Sequence, residues 1–132
     1  MSSVLLKKGK AKPFWSGHPL VHSGAVDRIE GSPAAGDLVT VTDTASRVIG
    51  VGVFNPHSQY RVRILALAAE KADVRSAPVI VARRIADAVA FRASLGLPSS
   101  DTTVFRLLNS EGDRCSGLTI DQIGSTDRKS VV

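Results

Sequence analysis

Cysteine is nearly absent: Cys115 is the one cysteine in 132 residues. No intramolecular disulfide can form, and a reducing compartment is the default. No apolar run approaches bilayer-spanning length, and the apolar stretch within MSSVLLKKGKAKPF is too short for a secretory signal. The folded-looking part begins almost at Met1, so the chain is expected to be cytoplasmic, or organellar if the source carries plastids. Paired-cysteine metal spacing, a P-loop and a G-x-S-x-G elbow are all missing. His18, His22 and His57 are scattered with no evident fourth ligand, and no metal is expected. Gly50 and Gly52 form a lone glycine pair among β-branched residues, which suits a bulge or a close strand contact better than a cofactor. Cys115 lies in GDRCSGL beside Arg114, which would favour a thiolate. No histidine is near it in sequence, so it is read as an inert small residue.

What is present is a packed-core composition, 43% hydrophobic and 22% charged. Lys and Arg outnumber Asp and Glu by 17 to 12, a net charge of +5. That balance favours polyanionic partners. From residue 4 to about 67, short apolar or alternating stretches recur between Gly, Pro, Asn and Asp turns. Val4 to Leu6, Ala25 to Ile29, GDLVTVTD, RVIGVGVFN and residues 60 to 67 all read as strands. Gly17 and Pro19 interrupt any long helix between the first two. This is the pattern of a small β barrel or sandwich.

The character changes near residue 70. Ser76 suits an N-cap and Pro78 a first helical turn. Val81, Ile85, Val89 and Arg92 then recur at helical spacing, flanked by Ala88 and Leu95, until Gly96 and Pro98 stop the helix. Thr102 to Leu108 and Gly117 to Ile120 read as a hairpin around NSEGD. The expected organisation is a β domain over 1–70, an incomplete second domain over 71–124, and a non-native tail over 125–132. A helix and one hairpin bury too little surface to stand alone.

Cations supply the candidate site. Lys7, Lys8, Lys10 and Lys12 precede the later strands, and Arg61 and Arg63 share a face of the strand that follows the Asn55-Pro56 turn. Lysines offer mobile point charges to phosphates, and arginine forks bind phosphate oxygens or stack on bases. From charge alone a solvated face is the simpler account. Phe14, Trp15 and Tyr60 are of a type that stacks bases, although core packing is the expectation for Phe14 and Trp15.

Three stretches carry a resemblance: LKKGKAKPFWSGHPLVHSGAVDRIEG, GVGVFNPHSQYRVRIL and FRLLNSEGDRCSGLTIDQIG. In order and spacing they resemble the N-terminal part of the S-adenosylmethionine-dependent methyltransferases that modify cytosine carbon 5 in large-subunit ribosomal RNA. NPHSQYRVR is similar to that family's N-P-x-S-x-I-x-x-R, and RLLNSEGDRCSGLTID to its R-L-x-N-x-E-x-D-x-L-P-G-L-x-V-D. The likeness covers nearly all of residues 5 to 124. It departs at Leu20 and His22, where the family usually has a tryptophan and an aromatic, and at Cys115-Ser116, where it has Leu-Pro.

The resemblance implies an α+β chain: a PUA-like RNA-binding pseudo-barrel, then a helix and a β-hairpin from an incomplete domain. It implies RNA, large-subunit ribosomal RNA in particular, as partner, met by Lys7, Lys8, Lys10, Lys12, Arg61 and Arg63. The family's cofactor, S-adenosylmethionine, and its nucleophilic cysteine belong to a further domain. This chain is therefore expected to bind RNA without catalytic or cofactor-binding residues and to be inactive alone. A standalone RNA-binding adaptor and a protein-interaction module are the alternatives. DRKSVV is also encoded by GATCGGAAGAGCGTCGTG, one frame of a common sequencing adapter with TAG next, so Asp127 to Val132 are expected to be a cloning or assembly scar.

Overall fold

The structure, a computed structural model, describes residues 1–71 and 76–131. The chain divides into two compact units, Met1–Ile80 and Val81–Val132.

The first unit is built on one six-stranded sheet, curled into a half-barrel. Its strands are β1 (Ser3–Leu6), β2 (Leu20–His22), β3 (Val26–Glu30), β4 (Leu38–Thr42), β5 (Val48–Phe54) and β6 (Tyr60–Leu67). They lie side by side in the order β2-β6-β5-β4-β1-β3. The β1–β4 pair is parallel and the other pairs are antiparallel. Alternation explains which side chains enter the core. Val39 and Val41 of β4 are buried while Leu38, Thr40 and Thr42 are half-buried, as a strand of period two dictates. Val4, Leu6, Val21, Ile49, Phe54, Val62 and Ile64 complete the interior together with Phe14 of the short helix α1 (Lys12–Trp15).

The curl has a local cause. Val51 pairs with Ala66 but Gly52 pairs with Ile64, which leaves Leu65 as an extra residue in β6. Such a bulge increases the twist of the strand that carries it. The two glycines admit the resulting close approach. A Cβ on Gly50 would lie 2.5 Å from the Ala66 carbonyl oxygen. One on Gly52 would press into the Arg63 carbonyl, 2.7 Å from its carbon. The pair serves close backbone packing against β6.

The second unit contains most of α2 (Ala77–Ser94) and a sheet of β7 (Val104–Asn109), β8 (Leu118–Ile123) and β9 (Thr126–Val131), in that order. The helix buries Ala88, with Val81 and Ile85 packed beside it, against Leu108, Cys115 and Ile120. The expected apolar stripe is therefore rotated: Val89 and Leu95 are exposed. Arg92 continues the inward row by making a fork to Asp113, at 2.7 and 2.8 Å, and donating from Nε to the Arg106 carbonyl at 3.1 Å. Asp113 also accepts the Asn109 N–H, and these donors, the Arg92 guanidinium first, hold its carboxyl below the usual range.

Two expectations change. Leu20–His22 forms a strand where only a helix interruption was read. Residues 126–131 pair along β8, from Ile123↔Thr126 to Leu118↔Val131, so the hairpin gains a third strand. A backbone ladder can form on a polar segment that carries no hydrophobic signal.

Gly52→Ala tests the close approach. Overpacking against a fixed backbone carbonyl should destabilise the first unit by about 1–3 kcal/mol, seen as a lower urea midpoint. An unchanged midpoint would show that β6 yields freely there.

Candidate nucleic-acid interface

The β1–α1 connection begins as soon as β1 leaves the sheet. The Lys10 N–H donates to the Lys7 carbonyl at 3.0 Å, and Gly9 takes φ +79°, a left-handed conformation that glycine adopts without strain. This tight turn presents Lys7, Lys8 and Lys10 to solvent, and Lys12 follows at the start of α1. Lys7 Nζ donates to the Gly24 carbonyl at 3.1 Å, which steadies its stem while the residue stays exposed. An ammonium has more donors than this bond uses.

Helix α1 separates its two aromatics. Neighbours on a helix point about 100° apart, so Phe14 and Trp15 cannot both enter one core. Phe14 is buried, and Trp15 is 45% exposed. The expectation of a buried Trp15 is corrected by this helical turn.

Beside Trp15 lies the β4–β5 turn, Asp43 to Arg47. Asp43 is 4% exposed. Its carboxylate accepts the Ala45 N–H at 2.9 Å, the Arg47 N–H at 3.0 Å and the Arg47 guanidinium at 2.8 Å. Burial alone would raise its pKa. The backbone and side-chain donors of Arg47, with the Ala45 N–H, outweigh burial and hold the carboxyl below its ordinary value. So fixed, Arg47 places its guanidinium carbon 5.6 Å from the centroid of the Trp15 ring, within cation–π range.

These groups line one cleft of about 330 Å³, shared by Lys7, Gly9, Lys12, Trp15, Asp43 and Arg47 among others. It joins three cations to an exposed indole. Arg47 was absent from the residues singled out in the sequence. DTASR does carry a signal for it, an aspartate that starts a turn with an arginine four residues on.

Arg61 and Arg63 lie elsewhere. β1 and β4 are parallel, so Lys7 and Asp43 leave the sheet at the same end, where β5 starts. β6 begins at the opposite end. From Val48, beside Arg47, to Val53, opposite Arg63, the strand rises roughly 17 Å. Both arginines are half-buried. Arg61 turns its guanidinium back on the loop before β6, donating to the Pro56 and Ser58 carbonyls. In register it is the extra residue between the pairs Val21↔Val62 and His22↔Tyr60. Tyr60 is exposed there and meets His22 edge-on at 6.0 Å.

The remaining candidates have structural surroundings. Cys115 is buried, and burial pushes its thiol pKa up, away from a thiolate. His18 and His22 each accept a backbone N–H through Nδ1. Among the described residues no three His, Cys, Asp or Glu side chains gather as metal ligands, and no helix is long and apolar enough to cross a membrane.

The Asp43 bracket predicts a pH response. A lowered carboxylate pKa stabilises the fold above the ordinary value, near 3.9, and that contribution is lost as pH falls through the folded value. Trp15, the single tryptophan, should keep constant emission from neutral pH down to about 4 and change below it. Asp43→Asn should show altered emission already at neutral pH. Identical wild-type and variant emission would mean that Arg47 reaches Trp15 without the bracket.

Comparison with known proteins agrees with the fold. Residues 4–67 match the PUA-like domain family. Ribosomal RNA large subunit methyltransferase I of Vibrio vulnificus is 32% identical over 121 residues, covering 92% of this chain and 29% of its own length. The Photobacterium profundum protein of the same name is 34% identical over 122 residues, covering 92% and 30%. A solved structure from Streptococcus mutans, described as a candidate SAM-dependent methyltransferase, superposes with a TM-score of 0.75 at 18% identity, over 98% of this chain and 32% of that one. The chain thus spans about 30% of the length of the curated relatives it matches. Residues 4–67 are a PUA-like domain, and nearly the whole chain is similar to part of the ribosomal RNA large subunit methyltransferase I proteins.

Proposed function

We propose that this chain is the RNA-binding portion of an S-adenosylmethionine-dependent ribosomal RNA methyltransferase, with cytosine carbon 5 of large-subunit ribosomal RNA as the methylated position. The observation that carries the reading is the cleft of the PUA-like domain, where Lys7 and Lys12 converge with Trp15 and Arg47. Lys8 and Lys10 extend the same charge on the adjoining turn. Arg63 provides a second cationic point toward the far end of the sheet, and Arg61 holds the loop beside it.

In this reading neither the methyl-donor site nor the nucleophile belongs to this chain. Backbone fills the space beside Gly50 and Gly52, and Cys115 is a buried thiol with a raised pKa. In this reading the methyl-transferring domain lies outside the 132 residues. The role of the PUA-like unit is to supply affinity and orientation, through cations that replace counterions on the RNA backbone.

The test is a salt titration of the 132-residue chain with fluorescein-labelled structured ribosomal RNA, followed by anisotropy. Affinity should fall steeply with salt, and Lys7→Gln combined with Lys12→Gln should flatten the log–log slope by roughly 0.7 to 0.9 per lost phosphate contact. An unchanged slope would remove these lysines from the interface. Absence of binding at low salt would leave a protein-interaction module as the better account.

A further inference from the structure

Trp15 is the feature that phosphate binding alone leaves unexplained. A hydrated basic patch requires no indole, yet here an indole 45% exposed stands in the wall of a cleft whose rim is cationic. Its position is built. Phe14 anchors α1 in the core, the Asp43 carboxylate fixes Arg47, and Arg47 lies 5.6 Å from the indole centroid. A planar partner stacked on this indole would remove apolar surface from water. The covering group must be flat enough to stack on an indole and must tolerate a guanidinium at its margin. It must also bring negative charge to Lys7 and Lys12. A nucleotide meets all three requirements.

Size narrows the class further. A cleft of about 330 Å³ lies at the lower end of small-ligand pockets, which suits one base with its sugar. In a duplex the bases are paired and stacked, and an A-form helix shows a protein mainly phosphates and 2′-hydroxyls. From these observations we infer that the cleft captures one unpaired nucleotide of a single-stranded RNA segment, its base stacked on Trp15 and its flanking phosphates on Lys7 and Lys12. Base identity is read weakly. Stacking is tolerant of sequence, and Asp43, the acid among the lining residues, already accepts three hydrogen bonds from Ala45 and Arg47.

This inference rests on the RNA-binding reading, and the experiment separates the two. The 132-residue chain is titrated at low salt with a single-stranded hexaribonucleotide, with a blunt duplex of the same sequence, and with the corresponding nucleoside monophosphate. Emission of Trp15 is followed together with anisotropy of labelled RNA. The single strand is expected to quench Trp15 saturably, while the duplex binds through the lysines without quenching. By anisotropy, Trp15→Ala should weaken the single strand roughly tenfold or more and leave the duplex unchanged, and Trp15→Phe should recover most of the loss. If both RNAs bind equally and Trp15→Ala changes neither, the stacking site is overturned while RNA binding stands. If the monophosphate quenches with the affinity of the hexamer, the cleft is a small-molecule pocket and the RNA assignment is overturned. If no RNA binds at all, the underlying reading fails as well.

Discussion

The Asp43 carboxylate, nearly excluded from solvent, gathers two backbone N–H groups and the guanidinium of Arg47 into a single bracket. Arg47 is otherwise a long, exposed side chain with many rotamers, and ordering it freely would be entropically unfavourable. The bracket removes that freedom within the fold. The guanidinium then stands beside Trp15 before any ligand arrives, and preorganisation of this kind favours binding. The cleft depends on this interaction because its other cations, Lys7 and Lys12, sit on a turn and a short helix set by backbone bonds and by Phe14.

Sheet topology decides which charges can cooperate. The parallel β1–β4 pair puts the lysine turn and the β4–β5 turn at one end. The antiparallel β5–β6 pair carries Arg61 and Arg63 toward the other. Arg61 also serves the Pro56 and Ser58 carbonyls. A single RNA strand meeting both Lys12 and Arg63 must therefore run along the sheet. A compact phosphate cluster would be held by the cleft end alone.

Much of this was legible in the residues. The strands around Val39, Val41, Val62 and Ile64 follow from alternation, and the one around Ile49 from its β-branched residues. Gly50 and Gly52 were readable as a close strand contact because glycine among β-branched residues has few other uses. One of the three motifs that carry the family resemblance, GVGVFNPHSQYRVRIL, lies in the same stretch. Trp15 was misread because adjacency to Phe14 says nothing about face until α1 is known to turn the pair apart. Arg47 was missed because its value comes from the β4–β5 turn, which brings it to a residue 32 positions earlier in the chain. β9 was missed because backbone pairing leaves no apolar period to read.

Photo-crosslinking tests the central claim, that RNA meets this chain at the cleft, most directly. The 132-residue chain would be irradiated with a single-stranded RNA containing 4-thiouridine, digested, and mapped by mass spectrometry. The crosslinked peptide is expected to contain Trp15. Crosslinks confined to the His57–Tyr60 segment, at the opposite end of the sheet, would contradict it.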